Sequence, residues 1–162
     1  MTFPLPNASH DLSGQLAVVT GASSGLGARF ARVLAAAGAT VALCARRADK
    51  LEALVAEIRA AGGQAHAFQI DVADQAQCLA LAERVEAALG PVSILINNAG
   101  IPDAARAHKL SPELYNQVMA VNVNAPWLLS TSLAARRIAD GKPLRIVNIA
   151  SMAAFEYAGQ GA

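Results

Sequence analysis

The segment Thr20-Gly21-Ala22-Ser23-Ser24-Gly25-Leu26-Gly27 constrains this chain more than any other. The apolar run before it, Leu16-Ala17-Val18-Val19, reads as a buried strand. The residues after it read as a helix, with Leu26, Phe30, Val33, Leu34 and Ala37 recurring at helical spacing. A strand that enters a helix through glycines presents bare backbone N–H groups. Glycine accepts positive φ and lets a ligand approach the main chain closely. The helix N-terminus adds partial positive charge and unpaired donors, a combination suited to phosphate. The segment therefore predicts nucleotide binding. The competing reading, an ordinary strand-to-helix turn, is weakened by three glycines and two serines falling within residues 21–27.

The spacing narrows the type of turn. It reads G-x-x-x-G-x-G on Gly21, Gly25 and Gly27. The common pattern G-x-G-x-x-G, started at Gly25, fails at Phe30, and the P-loop pattern fails for want of its Lys.

Beyond the turn, strand-like runs at 16–20, 40–44, 65–70, 92–96 and 144–149 alternate with helical segments at 25–37, 48–61, 75–89 and 112–138. Leu51, Leu54, Val55 and Ile58 make one apolar helix face, and Cys78, Ala82, Val85 and Leu89 make another. Ser111-Pro112 is a helix start, a capping hydroxyl followed by Pro in the first turn. Pro126 should bend the last helix or mark a boundary in it. Trp127 and Met119 are expected to pack, and Lys109 and Lys142 to lie in loops. The strands alternate little between apolar and polar residues, as expected where helices cover both sheet faces. The β-α-β-α order predicts an α/β fold with a doubly wound parallel sheet.

Composition bounds the remaining classes. The chain has 162 residues, 54% hydrophobic and 15% charged, enough for one nucleotide-binding domain (1–162) with a real core. A formal charge of +1 gives no sign of a nucleic-acid partner, and no run of 18 apolar residues predicts a membrane span. Residues 1–13, with Pro4, Pro6, Asn7, His10 and Asp11, read as a loose leader and lack the pattern of a signal peptide. Cys44 and Cys78 lie 34 residues apart without a C-x-x-C pair, which predicts free thiols and a cytoplasmic setting. His10, His66 and His108 share no ligand spacing, so no metal site is expected.

In a doubly wound sheet, ligands lie outside the carboxyl ends of the strands. After the second strand stands Ala45-Arg46-Arg47, with no acid before Asp49 to take ribose hydroxyls. An arginine there suits a 2′-phosphate, which favours NADP and leaves NAD open; a solvated loop is the alternative. After the third strand, Asp71-Val72 offers an acceptor for an adenine amino group, or a helix cap. After the fourth stands the turn Asn97-Asn98-Ala99-Gly100.

Thr20 to Gly27, Asp71-Val72, Asn97 to Gly100, Val121-Asn122-Val123 and Ile146-Val147-Asn148-Ile149-Ala150-Ser151, in this order, resemble the short-chain dehydrogenase/reductase family from about residue 13 onward. The resemblance implies the amino-terminal five strands of a Rossmann-type fold. It implies hydride transfer between a nicotinamide cofactor and a ketone or secondary alcohol, without metal. The cofactor would meet Gly21, Ser23, Ser24, Gly25, Leu26, Gly27, Arg46, Asp71, Val72, Asn98, Ala99 and Gly100. Ser151 matches the serine that hydrogen-bonds the substrate oxygen, and Asn122 the asparagine that helps hold a proton relay. A carbonyl accepting hydride develops negative charge on oxygen, which preplaced donors stabilise. Taken alone, Ser151 reads as a strand-end turn residue and Asn122 as a polar group inside a helix. Ile101 to Lys109 is a candidate wall of the substrate pocket.

The family's Tyr-x-x-x-Lys is not found. Tyr157 stands too close to Ser151, and Gly161 occupies the position of the Lys. The catalytic Tyr and Lys are expected beyond Ala162, on a longer protein or on a separate chain carrying the C-terminal segment. The run 144–149 would otherwise be an uncovered sheet edge. The resemblance also implies a homo-oligomer, a tetramer or dimer. The alternative functions are a non-catalytic nucleotide-binding fragment and an interaction domain using that edge.

Overall fold

A computed structural model describes residues 10–102 and 107–151. Five strands form one parallel sheet: β1 (Leu16–Thr20), β2 (Thr40–Ala45), β3 (Gln64–Gln69), β4 (Ile94–Asn97) and β5 (Arg145–Asn148). Their order is β3-β2-β1-β4-β5. Successive strands step outward from β1 to β3, and the chain then returns to the other side of β1 for β4. The direction of winding reverses between β1 and β4, where a crevice opens beyond the strand ends.

Helices α1 (Gly25–Ala36) and α2 (Ala48–Ala60) cover one face of the sheet. Helix α3 (Gln75–Leu89) covers the other with α5 (Ala125–Ala139). The central strand β1 is buried throughout, whereas every residue of edge strand β5 is exposed, with Ile146 and Val147 among them. The α2 face read from the sequence is buried at all four positions. On α3, Cys78, Ala82 and Val85 are buried and Leu89 packs against them. Among the described residues, no helix is long and apolar enough to cross a membrane.

Three expectations need correction. The buried face of α1 is Gly27, Ala28, Ala31 and Ala35, while Leu26 and Val33 are exposed. Small residues face the sheet because the helix lies close against it. Trp127 does not pack: it is 64% exposed on α5. The leader is not loose at its end, since the Leu12 N–H donates to Ala37 O at 2.7 Å and Asp11 accepts from Ser13. Pro4, Pro6 and Asn7 lie outside the described residues.

The segment 112–138 is divided. Helix α4 (Pro112–Met119), capped by Ser111 Oγ accepting from Leu114 N–H, runs into a π-helical turn at Ala120–Asn124 and then into α5. Pro126 has no N–H to give the Asn122 carbonyl, so regular α-helical bonding fails there. The wider turn absorbs the defect, with Ala125 N–H donating to Ala120 O, five residues back. Asn122 stands inside this turn.

Candidate nucleotide site

The glycine turn is built against β4. Thr20, buried at the end of β1, accepts the backbone N–H groups of Asn98 and Ala99 at its Oγ1, both at 3.0 Å. The Asn98 Nδ2 donates to Thr20 O at 2.9 Å. Gly21 has φ +66° and Gly25 φ +55°, conformations that side chains rarely adopt. Gly27 serves close packing: a Cβ there would press into the Gly21 carbonyl and lie 2.5 Å from Asn98 Nδ2.

Above this turn lies a cleft of about 310 Å³. Gly21, Ser23 and Ser24 line it from the turn, and Arg46 from the end of β2. Asp71 and Val72 close it after β3, and Asn98, Ala99 and Gly100 after β4. These predicted residues therefore meet at one place. Gly25, Leu26 and Gly27 are not in its lining; Leu26 points away, 60% exposed.

Several lining residues escaped sequence reasoning. Arg47 donates through Nη2 to Ser23 Oγ at 2.9 Å and Ser24 Oγ at 2.8 Å, which ties the end of β2 to the glycine turn. The sequence placed it beside Arg46 but gave no reason to separate their roles. Ile70 and Val121 form apolar parts of the wall, and Gln117 reaches it from α4. Gln117 carried no sequence signal, because only the fold brings α4 over the cleft.

Asp71 does not cap α3. That place belongs to Asp74, whose Oδ1 accepts from the N–H groups of Ala76 and Gln77. Hydrogen bonds from Gln77, side chain first and then backbone, hold the Asp74 carboxyl below the usual carboxylate range. The Asp71 Oδ1 instead accepts from Ala73 N–H at 3.0 Å, which fixes the loop at the cleft.

Neither Ser151 nor Asn122 lines the nucleotide cleft. Asn122 clamps Ile101 at both main-chain atoms, accepting its N–H at 3.0 Å and donating to its carbonyl at 2.9 Å. Ile101 in turn lines the cleft, so these two bonds tie the π-helical turn to the cleft wall. Ser151 follows β5 and is exposed. Tyr157, with Phe155 and Glu156, lies outside the described residues, as do residues 103–106 of the candidate wall from Ile101 to Lys109.

The fold and the placement of the cleft define a Rossmann-type α/β domain. Its sequence pattern matches that of the short chain dehydrogenases over residues 15–162. The chain belongs to the short-chain dehydrogenase/reductase family. It is similar to D-threitol dehydrogenase of Mycolicibacterium smegmatis, 38% identical over 143 residues, covering 88% of this chain and 55% of that one. The structure resembles a metagenomic short-chain oxidoreductase in complex with NADP, at 42% identity and TM-score 0.88, covering 95% of this chain and 69% of that one. It also resembles gluconate 5-dehydrogenase of Burkholderia cenocepacia in complex with NADP and tartrate, at 32% identity and TM-score 0.85, covering 93% and 59%. The chain spans about half the length of the curated relatives it matches.

Proposed function

We propose that this chain is the cofactor-binding part of an oxidoreductase that moves hydride between NADP(H) and a ketone or secondary alcohol. The observation that carries the reading is the cleft at the winding reversal, which joins the glycine turn to a pair of arginines and an aspartate. Its donor set fits NADP. Two guanidinium groups and two serine hydroxyls suit a 2′-phosphate, and Asp71 is the one acid among the residues that line the cleft. Asp71 offers an acceptor for adenine, and the bare amides of the turn suit the pyrophosphate. The NADP complexes of the two similar structures support the same choice. Bound there, NADPH supplies the hydride.

The protein's part is to orient and stabilise. Ser151 donates its hydroxyl to the substrate oxygen as charge develops. Asn122 holds the Ile101 wall. The proton is given by a Tyr-Lys pair beyond Ala162. Self-association as a dimer or tetramer belongs to the reading, supported by the exposed Trp127 and Ile138 of α5. Cytoplasmic residence is supported by Cys44 and Cys78, both free and buried.

The test is titration of the full-length protein with NADPH and NADH, before and after Arg46→Ala and Arg47→Ala. A lost charge-assisted contact should weaken NADPH on the order of 10- to 100-fold and leave NADH nearly unchanged. Equal loss for both cofactors would refute the 2′-phosphate assignment. Tight binding with no turnover across ketones and polyols would leave a non-catalytic nucleotide binder.

A further inference from the structure

The loop between β3 and α3 is held by the helix that follows it, through a side chain diverted from its usual partner. Asp74 is the N-cap of α3, and Gln77 stands three residues on. In an ordinary capping box, a Gln at that place returns to the backbone N–H of the cap residue. Here the Asp74 N–H is already given to Asp71 O at 3.1 Å. The Gln77 Oε1 reaches past it and accepts the N–H of Asp71 at 3.0 Å. The Gln77 Nε2 donates to Asp74 Oδ2 at 2.8 Å, so both ends of this half-buried amide are fixed. The next residue grips Val72: the Cys78 thiol donates to Val72 O at 3.2 Å. Asp71 Oδ1 accepts from Ala73 N–H. These bonds use the Asp71 N–H and carbonyl, the Val72 carbonyl and one carboxylate oxygen. They leave the Val72 N–H and Asp71 Oδ2, a donor and an acceptor on neighbouring residues that both line the cleft. In a planar trans peptide the Val72 N–H points away from the Asp71 carbonyl, and so away from Asp74, to which that carbonyl is bonded.

We propose that Gln77 is a positioning residue for recognition of the cofactor's base. By fixing the Asp71 main chain from α3, it holds that donor and acceptor in the order the adenine edge requires, where the amino group donates and N1 accepts. A 6-oxopurine carries the reverse pattern, an acceptor oxygen beside an N1–H donor. It would set oxygen against the carboxylate and N–H against N–H. The effect on the base rests on the proposed NADP site; the hold on Asp71 does not.

The experiment compares NADPH with its hypoxanthine analogue on the full-length protein. The two share the 2′-phosphate, so the ratio of their dissociation constants isolates the base. The unaltered protein should prefer NADPH by about 10- to 100-fold. Gln77→Met, similar in length but without the acceptor, should reduce that ratio at least about fivefold. Ala80→Gly weakens the same helix at an exposed position outside the loop, and should lower Tm by a few degrees with the ratio unchanged. An unchanged ratio in Gln77→Met, an equal fall in Ala80→Gly, or no preference in the unaltered protein would overturn the proposal. Hydrogen exchange tests the hold directly. The Asp71 amide should exchange at least about tenfold faster in Gln77→Met, and unchanged exchange would overturn the placement whatever the protein binds. An unaltered protein that binds neither nucleotide would refute the NADP reading and with it the role in base recognition, and the exchange result would still decide the hold on Asp71.

Discussion

Gly27 and Gly25 are two residues apart and make a matched pair for testing what the glycine turn requires. A methyl group on Gly27 would lie 2.5 Å from Asn98 Nδ2 and 2.8 Å from the Gly21 carbonyl carbon, besides pressing on the Gly21 oxygen. Favourable contacts begin near 3.5 Å, so relief takes a shift of about 1 Å. Either α1 withdraws from the turn, or the Asn98 amide rotates and gives up its bond to Thr20 O. Overpacking costs roughly 1–3 kcal/mol and the lost bond about 1 kcal/mol more. The sum is about 2–4 kcal/mol, which lowers Tm by roughly 4–16 °C in a domain of this size. Gly25 differs: a methyl there meets nothing within 4 Å, and only its φ of +55° is costly. That costs about 1–2 kcal/mol, offset by about 0.4–1 kcal/mol from a stiffer unfolded chain. Thermal unfolding of Gly27→Ala and Gly25→Ala, followed by circular dichroism, should therefore separate the two widely, with Gly27→Ala the lower. Equal midpoints would refute the packing argument and leave only backbone conformation to explain both glycines.

Two further outcomes follow from buried charge and from titration. Glu86 accepts from Arg137, whose side chain is only 5% exposed, at 2.8 Å and from Arg136 at 3.2 Å. Glu86→Gln leaves Arg137 with Asp140 as its remaining acid, and denaturant unfolding should show a loss of up to about 3–5 kcal/mol; a loss below about 1 kcal/mol would mean that Asp140 suffices. Burial, and then the charge of Arg59, hold the pKa of His66 below its ordinary 6.5. The unfolded chain then binds the extra proton first, so His66 contributes stability above pH 6.5 that is lost as pH falls through its folded value. His66→Gln should flatten the stability profile in that window, and an unchanged slope would show that other groups set it.

The sequence made the strand order of events legible because the short apolar runs, the glycines and Ser111-Pro112 are local signals. Alternation of strand and helix then left few topologies, and all five strands formed near the expected residues. The glycine turn, Arg46 and Asp71 could be placed together because strand ends meet at one edge of such a sheet. What stayed hidden depended on distance. Arg47 looked equivalent to Arg46 until its side chain was seen on Ser23 and Ser24. Gln117 became part of the cleft only through the path of α4. The bonding of Pro126 displaced a turn of helix into the π form, and periodicity alone reads straight through such a defect.

The misread face of α1 has the same physical origin as the site. Periodicity weighted by size selects Leu26, Phe30, Val33 and Leu34, whereas the sheet receives Ala28, Ala31 and Ala35. A large side chain at those buried positions would lift the helix away from β1. With alanines the helix lies close to the sheet, and Gly27 then touches the carbonyl of Gly21. That closeness sets the first turn of α1 directly beyond β1, with its unpaired N–H groups beside the cleft. Leu26 and Val33 thus mark what α1 leaves exposed, while Phe30 and Leu34 pack at the margin of its buried face. The small residues mark where a backbone must come near, and in this family of folds that is where a phosphate is to be met.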